Sequence, residues 1–248
     1  MTVHFSCVGC GKCCTGHHVP LTLGEARQWA EDGGQVIVLV EAVLDNGMGL
    51  PDGQHEHVLA RSQRVPSGDT EAHVAITFAA YNPAECRNLD ENKMCRIYER
   101  RPLVCRIYPM EINPHIPLRP TAKDCPPEAW LTGPALLAAD GRLLDGELAE
   151  LIALSRQADR EDISAKTAIC AELGIRTAAL KGDGFTAYFP DMAAFAEAVD
   201  LVLGQSESMI TDWVFAVSGV PVAEQLIEAG AGLTTPETVN YAFIPLRR

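Results

Sequence analysis

Four cysteines stand within eight residues near the start of the chain, as Cys7-x-x-Cys10-x-x-Cys13-Cys14, with Gly9, Gly11 and Gly16 interleaved. A Cys-x-x-Cys spacing lets a tight turn bring both sulfurs to one metal ion, at about 2.3 Å from each. Glycines between the ligands supply the positive φ values such a turn needs. A third cysteine at the same interval extends the pocket, as in iron–sulfur ligand runs. Adjacent side chains diverge, so Cys13 and Cys14 are expected to serve different ions or different faces of one cluster. The first twenty residues therefore read as an irregular loop organised by thiols.

The other ligand-type residues are segregated in the same way. Eight of the nine cysteines lie between Cys7 and Cys125, and all seven histidines lie in the first half. Cys86, Cys95, Cys105 and Cys125 sit in loop-like, Arg- and Pro-rich surroundings, not on a periodic apolar face. With the first four they make eight thiols, enough for two four-coordinate sites or for one cluster with spare thiols. A disulfide framework is disfavoured, because Met1-Thr2-Val3-His4-Phe5 lacks the basic and apolar regions of a secretory signal and the cytosol is reducing. Inert buried thiols have no reason to follow ligand spacing. Cys170, in Ala168-Ile169-Cys170-Ala171, reads instead as a buried small hydrophobe on a helix.

Charge narrows the partners. The 248 residues hold 20 Lys+Arg against 33 Asp+Glu, a net charge of −13, which argues against nucleic acid. No apolar run approaches the ~20 residues that cross a bilayer, so no membrane span and a soluble cytoplasmic protein are expected. Yet Lys12, Arg87, Arg96, Arg100, Arg101 and Arg106 all flank cysteines. Several thiolates around one dication leave net negative charge, which nearby cations offset. Arg101 and Arg106 are the candidates for tuning a cofactor or clamping a substrate anion through the planar guanidinium fork.

The remaining pattern predicts an α+β protein. Its Cys-rich N-terminal half is irregular with a few strands, and its C-terminal half, which is acidic, is mainly helical. Thr22 and Glu25 have capping-box spacing for a helix over 23–32. Residues 35–44 predict a buried strand, and 54–64 and 72–81 two more. A short helix is expected around Pro102 to Arg106, and further helices at 146–157, 164–173, 191–203 and 221–229. Short extended pieces are expected at 185–189 and 241–246. Composition changes near 130, which suggests a metal-binding region 1–130 and a second region 131–248. Cys95-Arg96-Ile97-Tyr98 recurs as Cys105-Arg106-Ile107-Tyr108.

Several histidines and tyrosines carry two readings. His17 and His18 are either supplementary ligands or solvated loop residues. His55 and His57 would face one side of a strand and make a poor two-ligand site. His115, beside Pro114, reads as structural. Tyr81, Tyr98 and Tyr108 either line a pocket at the cysteines or pack in the core. No Gly-x-Ser-x-Gly elbow, P-loop or Gly-rich strand–helix fingerprint occurs.

Taken together, Cys7-x2-Cys10-x2-Cys13-Cys14, Leu21-Thr22 with Glu25, Tyr81, Cys86-x2-Leu89 and Cys95-x-Ile97-Tyr98-Glu99-x-Arg101-Pro102-x2-Cys105-Arg106-x-Tyr108-Pro109 resemble the CxxCxxCC cysteine-cluster family. The resemblance spans about residues 5–128. The family, also called YkgJ-type, is described as a zinc- or iron-chelating domain, is often labelled an Fe–S oxidoreductase, and includes flagellin lysine-N-methylase. It implies a zinc ion or an iron–sulfur cluster and, loosely, an enzyme modifying a protein or peptide. The methylase branch would bring S-adenosylmethionine as methyl donor to a lysine amine. A radical-type Cys-x3-Cys-x2-Cys is absent, because His17 stands where the third cysteine would be. The rival expectations are a non-catalytic protein with structural zinc and a metal storage or delivery protein.

Overall fold

The computed structural model describes residues 2–48, 50–180, 184–204, 212–217, 220–233 and 240–245. In chain order its elements are β1 (Val3–His4), β2 (Val19–Leu21), α1 (Leu23–Glu31), β3 (Val36–Leu44), α2 (Asp52–Leu59), β4 (Gln63–Ser67) and β5 (Thr70–Ala80). There follow α3 (Leu103–Ile107), β6 (Ala135–Leu137), α4 (Gly146–Glu161), α5 (Ile163–Glu172), β7 (Thr177–Leu180) and β8 (Gly184–Tyr188). The last are α6 (Met192–Gly204), β9 (Val214–Ala216), α7 (Val220–Glu228) and β10 (Ala242–Pro245). This is the α+β composition expected. None of these helices is long and apolar enough to cross a membrane.

The elements gather into two compact units, each assembled from two stretches of chain, and none of the three boundaries falls at 130. One holds Met1–Leu21 with Tyr81–Gln157; the other holds Thr22–Ala80 with Ala158–Arg248. Long-range pairing overrides the local change in composition.

In the second unit, β3 is the central strand. Its Val-Ile-Val-Leu-Val run is buried on both faces, which suits a strand covered by other layers. It pairs antiparallel with β5 from Val36↔Ala80 to Leu44↔Ala72. Its other edge is shared by β8, antiparallel through Val38↔Tyr188, and β7, parallel through Glu41↔Ala179. Helices α1, α5 and α6 pack together, and α1 and α5 lie on the sheet. The Phe195 ring of α6 meets Phe78 of β5 edge-on at 5.2 Å, and both are fully buried. Burial of such a side chain stabilises by about 1.5–3 kcal/mol.

The Thr22–Glu25 capping box forms as its spacing predicts: Glu25 N–H donates to Thr22 Oγ1 at 3.3 Å, and Thr22 N–H to Glu25 Oε2 at 2.9 Å. The expected strand over 54–64 does not form. Pro51 caps α2 and accepts from Gln54 and His55, and the chain becomes extended only at Gln63. Pro102 caps α3 and is not its first residue. The helices and extended pieces expected after 145 are present, but β7 and β9 were not expected.

The first unit is sparser. Its apolar cluster comprises Leu103 and Ile107 of α3, Leu136 and Leu137 of β6, and Leu148 and Ile152 of α4. Phe5 lies between Trp130, at 4.9 Å, and Tyr108, at 6.3 Å. Ser6 N–H donates to the Ala129 carbonyl at 2.9 Å, so the strand entering the cysteine loop is fastened just before Cys7.

Candidate metal centre

Eight of the nine cysteines fall in the first unit and Cys170 in the second. All nine are unpaired thiols. Cys7 is exposed, and Cys10, Cys13, Cys14, Cys86, Cys95, Cys105 and Cys125 are half-buried.

The loop that carries the first four is shaped by backbone. Gly9, Gly11 and Gly16 take φ values of 67°, 69° and 72°, as the ligand-loop reading requires. Gly11 opens a single 3₁₀ turn over Lys12–Cys14. The turn is then tied to the second cysteine segment. Cys86 N–H donates to the Cys14 carbonyl at 2.7 Å, Gly16 N–H to the Ala84 carbonyl, and Thr15 bridges to Glu85. Within that segment Leu89 and Cys95 form an antiparallel bridge, so Cys86 and Cys95 flank one short hairpin-like loop. Cys105 follows on α3.

Electrostatics shows which sulfurs are neighbours. Cys13 Sγ and Cys14 Sγ are 3.9 Å apart. That is close to the sulfur–sulfur edge of about 3.8 Å in a tetrahedron with ~2.3 Å metal–sulfur bonds. The shared S–H proton pushes Cys13 up, helped by burial, and holds Cys14 below its ordinary value against burial and the sulfurs of Cys86, Cys105 and Cys95. Burial raises Cys105 to about 12, assisted by Cys86, Cys13 and Cys95 and opposed by Arg101. Burial also raises Cys86, with Cys95 and Cys13 adding to it and Arg87 opposing. Cys125 is raised by burial and then by Cys10, Cys13 and Cys7, while the Tyr108 hydroxyl lowers it. The sulfurs of Cys86, Cys95 and Cys105 thus act on Cys14, and those of Cys7, Cys10 and Cys13 on Cys125.

Among the described residues, no three His, Cys, Asp or Glu side chains close upon a common point that could hold an ion. The donor set nevertheless suits zinc or iron in kind: eight thiols within one unit, with Arg87 and Arg101 acting on them. Arg101 is half-buried next to Cys13 and Cys105; its Nε donates to the Tyr98 carbonyl at 2.8 Å and its guanidinium lies 3.7 Å from the Tyr98 ring centroid. Arg106 is exposed on α3. The Cys-Arg-Ile-Tyr repeat is not a structural repeat. Its first copy enters a 3₁₀ turn with Tyr98 exposed, and its second lies on α3 with Ile107 fully buried.

The two histidines that follow the first four cysteines are otherwise engaged. His17 Nε2 pairs with Asp124 Oδ2 at 2.9 Å. His18 Nδ1 accepts from Asn82 N–H at 3.1 Å and its ring stacks on Tyr81 at 5.0 Å. His55 and His57 sit on α2 in the second unit, and His115 is exposed. Of the three tyrosines, Tyr108 touches a sulfur, its hydroxyl lying 3.2 Å from Cys125 Sγ. Sequence reasoning did not single out Asp124 or Lys93. The position of Asp124 beside Cys125 was the only signal for the former, and Asp90-x-Asn92-Lys93 marked a turn for the latter.

Residues 6–126 match the CxxCxxCC family, described as "Putative zinc- or iron-chelating domain". Comparison with the curated proteins and with the solved structures finds no match.

Proposed function

We propose that this chain, whose residues 6–126 form a domain of the CxxCxxCC family, holds two thiolate-bound ions of zinc or iron. Cys14, Cys86, Cys95 and Cys105 serve one, Cys7, Cys10 and Cys125 the other, and Cys13 lies between them. The observation that carries this reading is the backbone bond from Cys86 N–H to the Cys14 carbonyl at 2.7 Å, which brings the second cysteine segment to the turn where Cys13 Sγ and Cys14 Sγ lie 3.9 Å apart. Thiolates of this kind supply a redox-active cluster with iron, or a Lewis-acidic or structural centre with zinc.

The half-exposure of the thiols favours a centre that faces solvent over a sealed structural one. That supports an enzymatic role, with a protein or peptide as substrate and Arg101 and Arg106 beside the centre for anionic groups. Oxidoreduction and methyl transfer from S-adenosylmethionine to a lysine rest on family likeness alone.

Elemental analysis and sulfide determination after oxygen-free purification test the proposal. Two equivalents per chain are expected if the metal is zinc, with a colourless protein; a brown protein with sulfide and at least two irons per cluster is expected if the centres are iron–sulfur. A folded, metal-free chain, or one with the eight sulfurs oxidised in pairs, would reject it.

A further inference from the structure

A cleft of about 420 Å³ opens at Cys10, with Lys12, Thr15, His17, Lys93 and Asp124 around it, all within the first unit. These five residues are exposed, so the cleft stands open to solvent. Its volume is within the range of small-molecule sites. Gly11 lets its walls approach, since a Cβ there would meet Lys93 Cβ at 3.0 Å. Of the unit's eight cysteines, Cys10 is the one that lines it.

The thiols differ in how firmly the chain holds them. Cys86 N–H is bonded to the Cys14 carbonyl, and Cys95 is bridged to Leu89. Cys105 stands on α3, which is anchored by the buried Leu103 and Ile107. Each thiol proposed for that ion therefore sits on paired backbone or on a packed helix.

The other set is held less. Among the described residues, Cys7, Cys10 and Cys125 make no hydrogen bond from backbone to backbone. Cys7 is the one exposed thiol of the nine, and Cys10 faces the cleft. Cys125 has the Tyr108 hydroxyl at 3.2 Å from its sulfur and follows the exposed Asp124. This set also has three thiols of its own, with Cys13 between it and the first. Zinc sites with four thiolates are closed, whereas sites with three protein ligands accept a donor from outside.

We propose that the ion of Cys7, Cys10 and Cys125 is the exchangeable one, reached through this cleft by a small multidentate chelator, and that the ion of Cys14, Cys86, Cys95 and Cys105 is retained. The proposal rests on the two-ion reading and adds which ion leaves and by what route. Each sulfur–metal bond that breaks is replaced by a bond to the chelator, and the freed thiolate takes up a proton from solvent.

The test starts by counting metal in the full chain purified without oxygen. Release to excess pyridylazoresorcinol, whose colour reports zinc or iron, is then followed with time. Two phases are expected, one for each centre. Cys125→Ser should lose the fast phase and keep the slow one, and Cys95→Ser the reverse. Thr15 has extended backbone, with φ of −122°, which suits an aromatic side chain. Thr15→Trp fills the cleft and removes no sulfur, so it should slow the fast phase while metal content and the slow phase stay as in the parent. Ile116→Trp, at an exposed position of the same unit outside the cleft, should change neither phase. A single phase, a fast phase that survives Cys125→Ser, or one that Thr15→Trp slows no more than Ile116→Trp does would overturn the assignment while both centres are still counted. A chain without metal at the outset sinks both readings.

Discussion

The backbone N–H of Cys86 donates to the carbonyl of Cys14 at 2.7 Å. This bond joins the two cysteine-bearing stretches at the residue next to Cys13. The eight thiols therefore belong to one folded unit whose apolar cluster is small, so bound metal should carry much of its stability. Structural zinc sites contribute on the order of 10–16 kcal/mol in small domains.

A serine series separates the two proposed ligand sets. Cys95→Ser and Cys125→Ser are each expected to lower metal content by about one equivalent and to lower the melting temperature. Cys13→Ser should reduce both ions at once. Elemental analysis and calorimetry of the three variants check this; a Cys13→Ser chain with full metal content would exclude Cys13 as the shared ligand.

Tyr108 contributes a single hydrogen bond to this centre, from its hydroxyl to Cys125 at 3.2 Å, while its ring packs against Phe5. Tyr108→Phe keeps the ring contact and removes the donor. The expected cost is about 1.5–3 kcal/mol where the acceptor is a thiolate, the usual range for a bond to a charged group. Metal release to a chelator should quicken relative to the parent. An unchanged release rate would confine Tyr108 to packing.

How much of this was legible in the sequence depends on the range of the interaction. The capping box of Thr22 and Glu25 and the apolar run of β3 are local, and both elements formed at those residues. Residues 54–64 misled because His55, Glu56 and His57 give α2 no apolar stripe, leaving Val58 and Leu59 to suggest a strand. The short β7 is buried throughout and owes its conformation to its partners β3 and β9. At the site, spacing marked the turn over the first cysteines, but not the backbone bond that joins Cys86 to Cys14, which is non-local. The Lys93 cleft was likewise hidden, since it depends on a left-handed turn meeting Gly11.

Cys170 should behave unlike every other thiol. It is fully buried on α5, where reagents have no access, whereas the other eight thiols are all at least partly exposed. After a chelator has removed bound metal, iodoacetamide is expected to label the eight cysteines of the first unit and spare Cys170 until denaturant is added. Cys170→Ala should leave metal content intact at a cost of about 1 kcal/mol, by analogy with small truncations in cores. Mass spectrometry of labelled peptides reads the outcome. Rapid native labelling at Cys170 would contradict its burial.

Glu41 offers a pH-dependent test of the second unit. It is the lone acid in the apolar β3 run, its side chain only 15% exposed, with Arg61 Nη1 at 4.0 Å and Arg61 Nη2 donating to Thr77 at 2.9 Å. Burial raises its pKa, and the Arg61 charge offsets this only in part. A raised folded pKa means that the fold favours the protonated carboxyl. Its contribution to stability is therefore complete below the unfolded value of about 4.3 and is lost as pH rises through the folded value. Glu41→Gln stays neutral throughout. The variant should gain stability relative to the parent between acid and neutral pH, and lose that advantage at pH 4. Urea unfolding of both chains at pH 4 and pH 7.5 measures the difference, in which acid effects on other groups cancel. An equal difference at the two pH values would show that Glu41 is ionised in the fold as readily as in the unfolded chain.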